Sequence, residues 1–202
     1  MKSIFTVQHT QSIHHTNGMV GSWTDWGLTE LGLSQAGKIG EKLRDELAGK
    51  KPALYSSDLL RARQTAETIG KLLNVTSVFR QELRERNLGR CCGRSVQWLI
   101  EIREMAENTI DDRLFSDAES RRDEWNRLKP FFDEIMGSRD EQIIIVSHGD
   151  LLGVFNTMFL GLEAETLNNS ELFGYPGGVS RLLVDNAGRR LVRTLSDLSY
   201  LC

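Results

Sequence analysis

The sequence predicts an α/β fold: a three-layer α/β/α sandwich whose central sheet is mostly parallel and carries helices on both faces. Short apolar segments alternate along the chain with segments that have apolar residues at steps of three and four, a pattern typical of alternating strands and helices. Residues 142–147 form a continuous apolar run, as expected of a strand buried on both faces. The chain has 202 residues without an internal linker or repeat, so we expect a single domain over residues 1–202.

The first half of the chain predicts three strands and two helices. The strand segments are residues 4–7, 53–55 and 75–79. Thr29 is a suitable N-cap for a first helix, in which apolar residues recur at steps of three and four between Ala36 and Leu47. A second helix is expected over residues 59–73.

Two long segments of the first hundred residues predict loops. Residues 8–27 are polar and rich in Gly, His, Thr and Trp, and a connection of this length is usually functional. Residues 82–95 are charged and interrupted by glycine. We therefore expect binding or catalytic groups in these two segments.

The second half predicts a largely helical region, the buried strand and a final strand pair. Residues 96–135 are mostly helical by pattern, and we expect a helical insertion around residues 96–137. An apolar helix over residues 151–160 follows the strand at 142–147. The turn residues 185–188 separate two strand segments, 179–184 and 190–195.

Composition excludes several functional classes. The formal charge is −3, from 25 Lys and Arg against 28 Asp and Glu, whereas a nucleic-acid-binding protein usually has a basic excess. No apolar run approaches the roughly 18 residues of a membrane span, and residues 1–10 do not resemble a signal peptide. The three cysteines are an odd number and two of them are adjacent, which is no disulfide framework. We expect a cytoplasmic protein that binds neither nucleic acid nor membrane.

All four histidines lie in two segments that follow predicted strands. His9, His14 and His15 follow the first strand, and His148 follows the buried strand. Ligands of α/β proteins bind outside the carboxyl ends of such strands, so we expect one shared site. Arg61, in the first turn of a helix, suits an anion at that site, whereas Arg63 fits a solvent-exposed position.

Glu85 is ambiguous from its sequence neighbourhood. It lies in the charged stretch 82–86. A carboxyl group at this place can act as a general acid or can be one solvated charge among several. Spacing alone leaves both interpretations open.

Five motifs in order resemble those of the histidine phosphatase superfamily, also called the phosphoglycerate mutase-like proteins, over nearly the whole chain. The family's Arg-His-Gly-Glu/Gln-Thr motif corresponds to residues 8–12, and its Trp-x-Asp-x-x-Leu-Thr-x-x-Gly-x-x-Gln-Ala pattern to residues 23–36. The remaining three motifs correspond to residues 56–62, 83–85 and 146–149. This resemblance implies the same α/β fold.

The resemblance also implies a two-step phosphoryl transfer. His9 would become phosphorylated, Glu85 would protonate the leaving oxygen and then activate water, and Arg61 and His148 would hold the equatorial oxygens. The substrate-binding set that we predict contains Gln8, Ser12, His15, Arg61 and Gly149. Cationic side chains and positioning supply most of the catalysis in such reactions, so neither a metal nor another cofactor is expected.

The sequence departs from the family at the site itself. Gln8 replaces the first motif arginine, and an amide cannot offer the charged planar fork of a guanidinium to phosphate. Thr10 stands at the motif glycine, and His15 at an asparagine found in many members. A protonated His15 could return part of the missing charge, which predicts a pH dependence near neutrality.

Two alternatives to a metal-independent phosphatase remain open. His14, His15, Cys91 and Cys92 are residue types that bind zinc, although their spacing is not that of a compact zinc motif. A phosphoglycerate mutase-like phosphomutase, or a weakly active or inactive relative that binds a metabolite or a partner, would also fit the motifs. Trp23 and Trp26 could wall the substrate site or pack the loop onto the domain.

Overall fold

The computed structural model describes residues 1–104 and 106–202 and has a central sheet covered by helices on both faces. The strands are β1 (Lys2–Gln8), β2 (Ala53–Ser57), β3 (Ser77–Arg80), β4 (Gln142–Ser147), β5 (Val179–Val184) and β6 (Arg190–Asp197). The helices are α1 (His14–Asn17), α2 (Glu30–Leu47), α3 (Leu60–Leu73), α4 (Val96–Ile102), α5 (Arg121–Gly137) and α6 (Gly149–Phe159).

The sheet is mixed, with strand order β3-β2-β4-β1-β5-β6. The first four strands in this order pair in parallel, whereas β5 pairs antiparallel with β1 and β6. One apolar core joins the sheet to α5 and α6, and another joins its opposite face to α2 and α3. The predicted three-layer α/β/α sandwich with a mostly parallel sheet is therefore confirmed.

Strand β4 shows why the sheet core forms where it does. Its residues Ile143 to Val146 are fully buried, and they alternate between the two cores. Both neighbours of β4, β1 and β2, run parallel to it, so their carboxyl ends lie at one edge of the sheet. The histidines predicted after β1 and β4 are thereby brought together.

The prediction of a mostly helical segment over residues 96–135 is wrong for its middle part. Helix α4 ends at Ile102, and α5 begins only after a capping box formed by Ser120 and Asp123. Between them, Asp112 accepts hydrogen bonds from two backbone amides of its own turn, which competes with helical hydrogen bonding. Among the described residues, no helix is long and apolar enough to cross a membrane.

Helix α5 packs on the sheet beside α6 and so belongs to one of the three layers. A separate apolar cluster contains Val20, Cys91, Phe115 and Ala118, with Trp98 packed against it. This cluster joins the loop after β1 to the chain around α4. The division into one domain with a helical insertion stays a prediction.

Candidate active site

A cavity of about 210 Å³ opens at the carboxyl ends of β1 and β4. It brings together most of the residues that the sequence predicts for the site. Its lining contains Gln8, His9, His14, His15, Val20, Gly21, Ser22, Arg61, Glu85, Arg86, Leu88, Gly149, Asp150 and Phe173. Two predicted residues, Ser12 and His148, are fully buried and lie behind this lining.

His9 presents one ring nitrogen as an acceptor. Its Nδ1 is 2.9 Å from the carbonyl oxygen of Thr10, which can only accept, so Nδ1 carries the proton. Its Nε2 therefore has the lone pair, and Arg61 Nε donates to it over 3.1 Å. Burial first, and then the positive charge of Arg61, lower the pKa of His9 well below its usual range. The ring is neutral at pH 7 and its Nε2 can act as a nucleophile.

Arg61 ties the histidine to the loop that follows α1. It is 1% exposed, and its Nη1 and Nη2 donate to the carbonyl oxygens of Thr24 and Ser22 over 2.9 and 2.8 Å. Burial lowers the pKa of this guanidinium to about 10, so it remains charged at neutral pH. Arg63, in contrast, lies exposed over the ring of Phe79, as expected from the sequence.

His148 lies beside His9, with ring centroids 5.1 Å apart. Its Nε2 is 2.9 Å from the hydroxyl of Ser57, and that hydroxyl already accepts a hydrogen bond from the Leu59 amide. The buried serine proton has no other acceptor among the described residues, so the favoured arrangement is Ser57 O–H donating to Nε2, which leaves Nδ1 of His148 as an N–H donor. This buried Nδ1 has no partner among the described residues.

Glu85 contributes a carboxyl group to the cavity lining. The backbone amides of Arg86 and Leu151 donate to its Oε1 over 3.0 and 3.2 Å, so the first turn of α6 holds it in place. Burial, and next the negative charge of Asp150, raise the pKa of Glu85 to about 7. The site geometry thus favours the acid interpretation of Glu85 over that of a solvated charge.

Gln8 occupies the position of the family's first arginine at the edge of the cavity. Its amide lies against Gly149, the first residue of α6, and Gly174: a Cβ at either glycine would be 3.2–3.3 Å from the amide atoms. The ring of Phe173 flanks the same space. Gln8 and Gly149 therefore lie in the cavity as predicted, and Phe173 is an additional wall that no sequence signal indicated.

The histidines after β1 also form a wall of the cavity. The ring of His15 is stacked on that of His9 at 5.3 Å, and the rings of His14 and His15 are 4.0 Å apart. Burial and Arg61 lower the pKa of His15, so the protonated His15 expected from the sequence is disfavoured near neutral pH. The hydroxyl of Ser12 is bonded to His14 Nδ1 and does not line the cavity.

Two further residues of the site, Asp150 and Arg86, were not predicted from the sequence. His14 was expected in the shared site and lines the cavity, although only its neighbour His15 was predicted to bind substrate. Asp150 directly follows the second histidine motif, and this adjacency could have indicated it. Arg86 is buried and contacts Glu107 and Asp150, 2.5 and 3.5 Å away, so its charge is already paired.

The two tryptophans of the first loop lie outside the cavity lining. Trp23 donates from Nε1 to the carbonyl oxygen of Glu85 over 2.6 Å, and Arg84 stacks over its ring. The ring of Trp26 is nearly parallel to that of His14, at 6.4 Å. Both tryptophans therefore hold residues of the site in place.

The residues proposed as zinc ligands do not form one cluster. Cys91 is buried in the apolar cluster with Phe115, and Cys92 contacts the hydroxyl of Ser22. One ring nitrogen each of His9, His14 and His15 does lie within 4.8 Å of the other two. However, the Ser12 amide donates to His15 Nδ1, so the neutral ring carries its proton on Nε2 and offers a cation no free lone pair.

Comparisons with known proteins identify the family of the chain. Residues 4–197 match the family model of the histidine phosphatase superfamily (branch 1). A Hydrogenobacter thermophilus protein named "Putative phosphoserine phosphatase 2" is 28% identical over 173 residues, which is 84% of each chain. An Erwinia tasmaniensis protein named "Probable phosphoglycerate mutase GpmB" is 29% identical over 170 residues, 81% of this chain and 77% of that protein.

Solved structures share the fold over the full length. Bacillus stearothermophilus YhfR has a TM-score of 0.85 and 22% identity, and covers 100% of both chains. A mycobacterial glucosyl-3-phosphoglycerate phosphatase solved with inorganic phosphate has a TM-score of 0.82 and 21% identity, again over 100% of both chains. With its motifs in order around one cavity and the family match over residues 4–197, the chain belongs to the histidine phosphatase superfamily.

Proposed function

We propose that this protein is a phosphoric monoester hydrolase that acts on a small phosphorylated metabolite through a phosphohistidine at His9. The observation that carries this proposal is the state of His9. Its proton is held on Nδ1 by a backbone carbonyl, and its Nε2 lone pair accepts a hydrogen bond from the charged Arg61 in the cavity. For attack on phosphorus, Arg61 Nε–H turns from Nε2 to an oxygen of the bound phosphoryl group. A neutral imidazole next to a cation is suited to attack an anionic phosphoryl group.

In the first step, His9 Nε2 forms a bond to phosphorus while the bond from phosphorus to the ester oxygen breaks. Glu85 gives its proton to the leaving oxygen. A carboxyl group with a pKa of about 7 holds that proton in a large fraction of molecules at neutral pH. Arg61 and the Nδ1 donor of His148 stabilise the charge on the equatorial oxygens.

In the second step, water attacks the phosphohistidine. Glu85, now a carboxylate, takes a proton from that water, and the electron pair of the breaking N–P bond returns to His9 Nε2. The two amides that donate to Glu85 Oε1 hold the carboxylate toward the cavity in this step. The cycle needs no metal, because protein groups supply every proton and positive charge.

A mutase is less well supported by the basic residues of the chain, because it must hold a second anionic group of its substrate. The basic pair Arg121 and Arg122 is already engaged: Arg121 contacts Asp150 and Glu171, and Arg122 contacts Asp111 and Glu165. The names of the relatives point both ways, to phosphoserine phosphatase and to phosphoglycerate mutase. The engaged arginines favour hydrolysis.

The proposal is tested by phosphate release and by trapping the intermediate. We expect inorganic phosphate from p-nitrophenyl phosphate and from alkyl monoesters such as O-phosphoserine, and an acid-labile phosphoryl group on His9 in rapidly quenched samples. His9→Asn keeps a donor near Nδ1 and removes the nucleophile, so activity should fall by about 10⁴-fold or more.

Circular dichroism would confirm that the His9→Asn variant folds. Phosphate release that survives this substitution would exclude the phosphohistidine route. Transfer of the phosphoryl group between two substrate hydroxyls without release would identify a mutase. Binding of phosphate without any turnover would identify the chain as an inactive relative.

A further inference from the structure

Ser12 contacts both histidines of α1 with two different groups. It is fully buried, directly beyond the wall of the cavity. Its backbone amide lies 3.2 Å from Nδ1 of His15, and its hydroxyl oxygen lies 2.7 Å from Nδ1 of His14. One residue therefore determines which ring nitrogen carries the proton in two neighbouring imidazoles.

The contact with the Ser12 backbone amide is compatible with only one neutral tautomer of His15. An amide N–H can only donate, so Nδ1 of His15 is the acceptor and carries no proton. A neutral imidazole has one N–H, which in His15 is then on Nε2. His15 is consequently a hydrogen-bond donor even when it is uncharged.

The hydroxyl contact gives the same result for His14. The Ser12 hydroxyl has one proton, and His14 Nδ1 is its one hydrogen-bond partner among the described residues. If Nδ1–H donated to the oxygen, the serine proton would be buried without an acceptor, which is costly. The favoured arrangement is therefore Ser12 O–H donating to Nδ1, with the His14 proton on Nε2.

We propose that Ser12 holds His14 and His15 as two neutral N–H donors, and that these bind oxygens of the phosphoryl group where Gln8 supplies no charge. This inference rests on the proposed phosphatase function and adds His14 to the groups that touch substrate. Ser12 is a positioning residue, since it acts through the two imidazoles.

The surroundings of His14 fit this role. The Cδ2–Nε2 edge of its ring lies over Gly21, where a Cβ would approach to 2.8 Å, so a side chain at this position would displace the ring. Trp26 covers another side of the ring. One ring nitrogen of His14 lies within 4.8 Å of one of His9 and one of His15, a separation that a single phosphoryl group can span.

The same geometry opposes a cation between these histidines. Two of the three rings present N–H groups, and a metal ion needs lone pairs. Burial, followed by repulsion from the protonated form of His15 and from Arg61, lowers the pKa of His14 to about 3, so the ring stays neutral near pH 7. An anion acceptor is therefore the ligand that this pair can bind without changing its tautomers.

Two-bond ¹H–¹⁵N spectra of the free protein test the tautomers directly. We expect Nε2–H for His14 and His15 and Nδ1–H for His9. Ser12→Ala removes the hydroxyl and keeps the amide, so the His14 tautomer should become mixed while His15 stays unchanged as the internal control. Nδ1–H at His14 or His15 in the wild-type protein would overturn the proposal.

Affinity for inorganic phosphate tests the donors without requiring turnover. His14→Phe keeps a ring and removes the donor, so binding should weaken by about tenfold, the usual value of one hydrogen bond to a charged group. His14→Gln places an amide N–H near the Nε2 position and should recover most of that loss. Equal affinity of wild type and His14→Phe would refute the role of His14.

The outcomes separate this inference from the proposed function. Tautomers and phosphate affinities as expected, in a protein that releases no phosphate from esters, would retain the donor pair and reject the hydrolase. Turnover through His9 with unchanged phosphate affinity in His14→Phe would retain the hydrolase and reject the donor pair. Stoichiometric zinc binding that is lost in His14→Phe would also reject it, because zinc requires the opposite tautomers.

Discussion

The two walls of the cavity respond to burial in opposite directions. On the histidine wall, formed by His9, His14 and His15, burial lowers the pKa of every ring. On the carboxyl wall, formed by Glu85 and Asp150, burial raises the pKa of Glu85 to about 7. Loss of water disfavours the charged form of each buried group, so it favours neutral histidines on one wall and a protonated Glu85 on the other.

The comparison shows how one cavity can hold a nucleophile and an acid at the same pH. A base that must attack and an acid that must donate both need their neutral forms, and a common desolvation supplies both. The charge of Arg61 acts on both groups: it favours the neutral form of His9, and it lowers the pKa of Glu85. Arg86 and Asp150 also line the cavity but contact each other, so Arg61 is the positive charge that lies beside the nucleophile.

Among the tests of this comparison, we expect the largest change in activity from a substitution on the carboxyl wall. Glu85→Gln keeps the shape of the side chain and removes the proton donor, so kcat/KM for an alkyl phosphate should fall by about 10²–10⁴-fold. In the wild-type protein, kcat/KM should decrease above about pH 7, because the acid loses its proton there. That decrease should be absent from the pH profile of the variant.

The leaving group provides the control for Glu85→Gln. p-Nitrophenolate leaves without protonation, so the first step of p-nitrophenyl phosphate hydrolysis should be much less impaired in the variant than that of an alkyl ester. The same loss for both esters would show that Glu85 does not protonate the leaving group. Ionisation of the substrate itself affects both proteins equally, so it cancels in the ratio of the two profiles.

A smaller effect is expected from a charge added at Gln8, the residue before His9. Gln8→Arg would place a guanidinium in the space now flanked by Gly149, Gly174 and Phe173. If phosphate stabilisation is limited by positive charge, turnover should rise by about tenfold, which is less than the 10²–10³ of a full oxyanion donor. Steady-state rates with p-nitrophenyl phosphate would measure the change.

Gln8→Lys is the matched variant for this experiment. It adds the charge without the planar fork, so a gain in Gln8→Arg alone would assign the effect to bidentate geometry. A gain in both would assign it to charge. No gain in either, with both variants folded, would show that the neutral donors of the histidine wall already satisfy the phosphoryl oxygens.

Topology explains how much of this site the sequence could predict. Strands β1 and β4 are apolar runs followed by histidines, and parallel neighbours must bring those histidines to one edge. His9, His148 and Arg61 could therefore be placed together from the amino-acid sequence alone. The family motifs added Glu85, which spacing alone did not distinguish from a solvated charge.

The unpredicted features depend on contacts between distant or irregular segments. Nothing in the pattern of residues 103–104 and 106–120 shows that side chains such as Asp112 bind backbone amides and end the helix early. The proposed tautomer of His14 depends on where the Ser12 hydroxyl points, and that of His15 depends on the Ser12 backbone amide. Phe173 reaches the cavity from a loop far along the chain. Such contacts do not recur with the residue spacing of a helix or a strand, so the local sequence does not indicate them.

Glu124 is a third carboxyl group close enough to Glu85 and Asp150 to be affected by their charges. No sequence pattern indicated that it would be buried. It is a charged residue type in α5, yet it is fully buried and its two oxygens have no hydrogen-bond partner among the described residues. Burial, and then the charges of Glu85 and Asp150, raise its pKa well above the usual range. At pH values between the unfolded and the folded pKa, the folded protein therefore keeps a proton on Glu124 that the unfolded chain has released.

Because of this difference, the free energy of unfolding decreases as the pH rises. The folded pKa exceeds the unfolded one, so stability is highest below the unfolded pKa and declines as pH rises toward the folded value. Glu124→Gln removes the titration, and Glu124→Met also removes the unpartnered polar atoms. Both should increase the free energy of unfolding relative to wild type by about 1–2 kcal/mol at pH 8, and by less at pH 4. Urea unfolding at the two pH values would measure this change in the free energy of unfolding.

The titration of Glu85 is the confounding effect in this experiment. Because Glu85 titrates in all three proteins, its own contribution largely cancels in the differences between them. A gain of equal size at both pH values would mean that Glu124 is not protonated in the folded state.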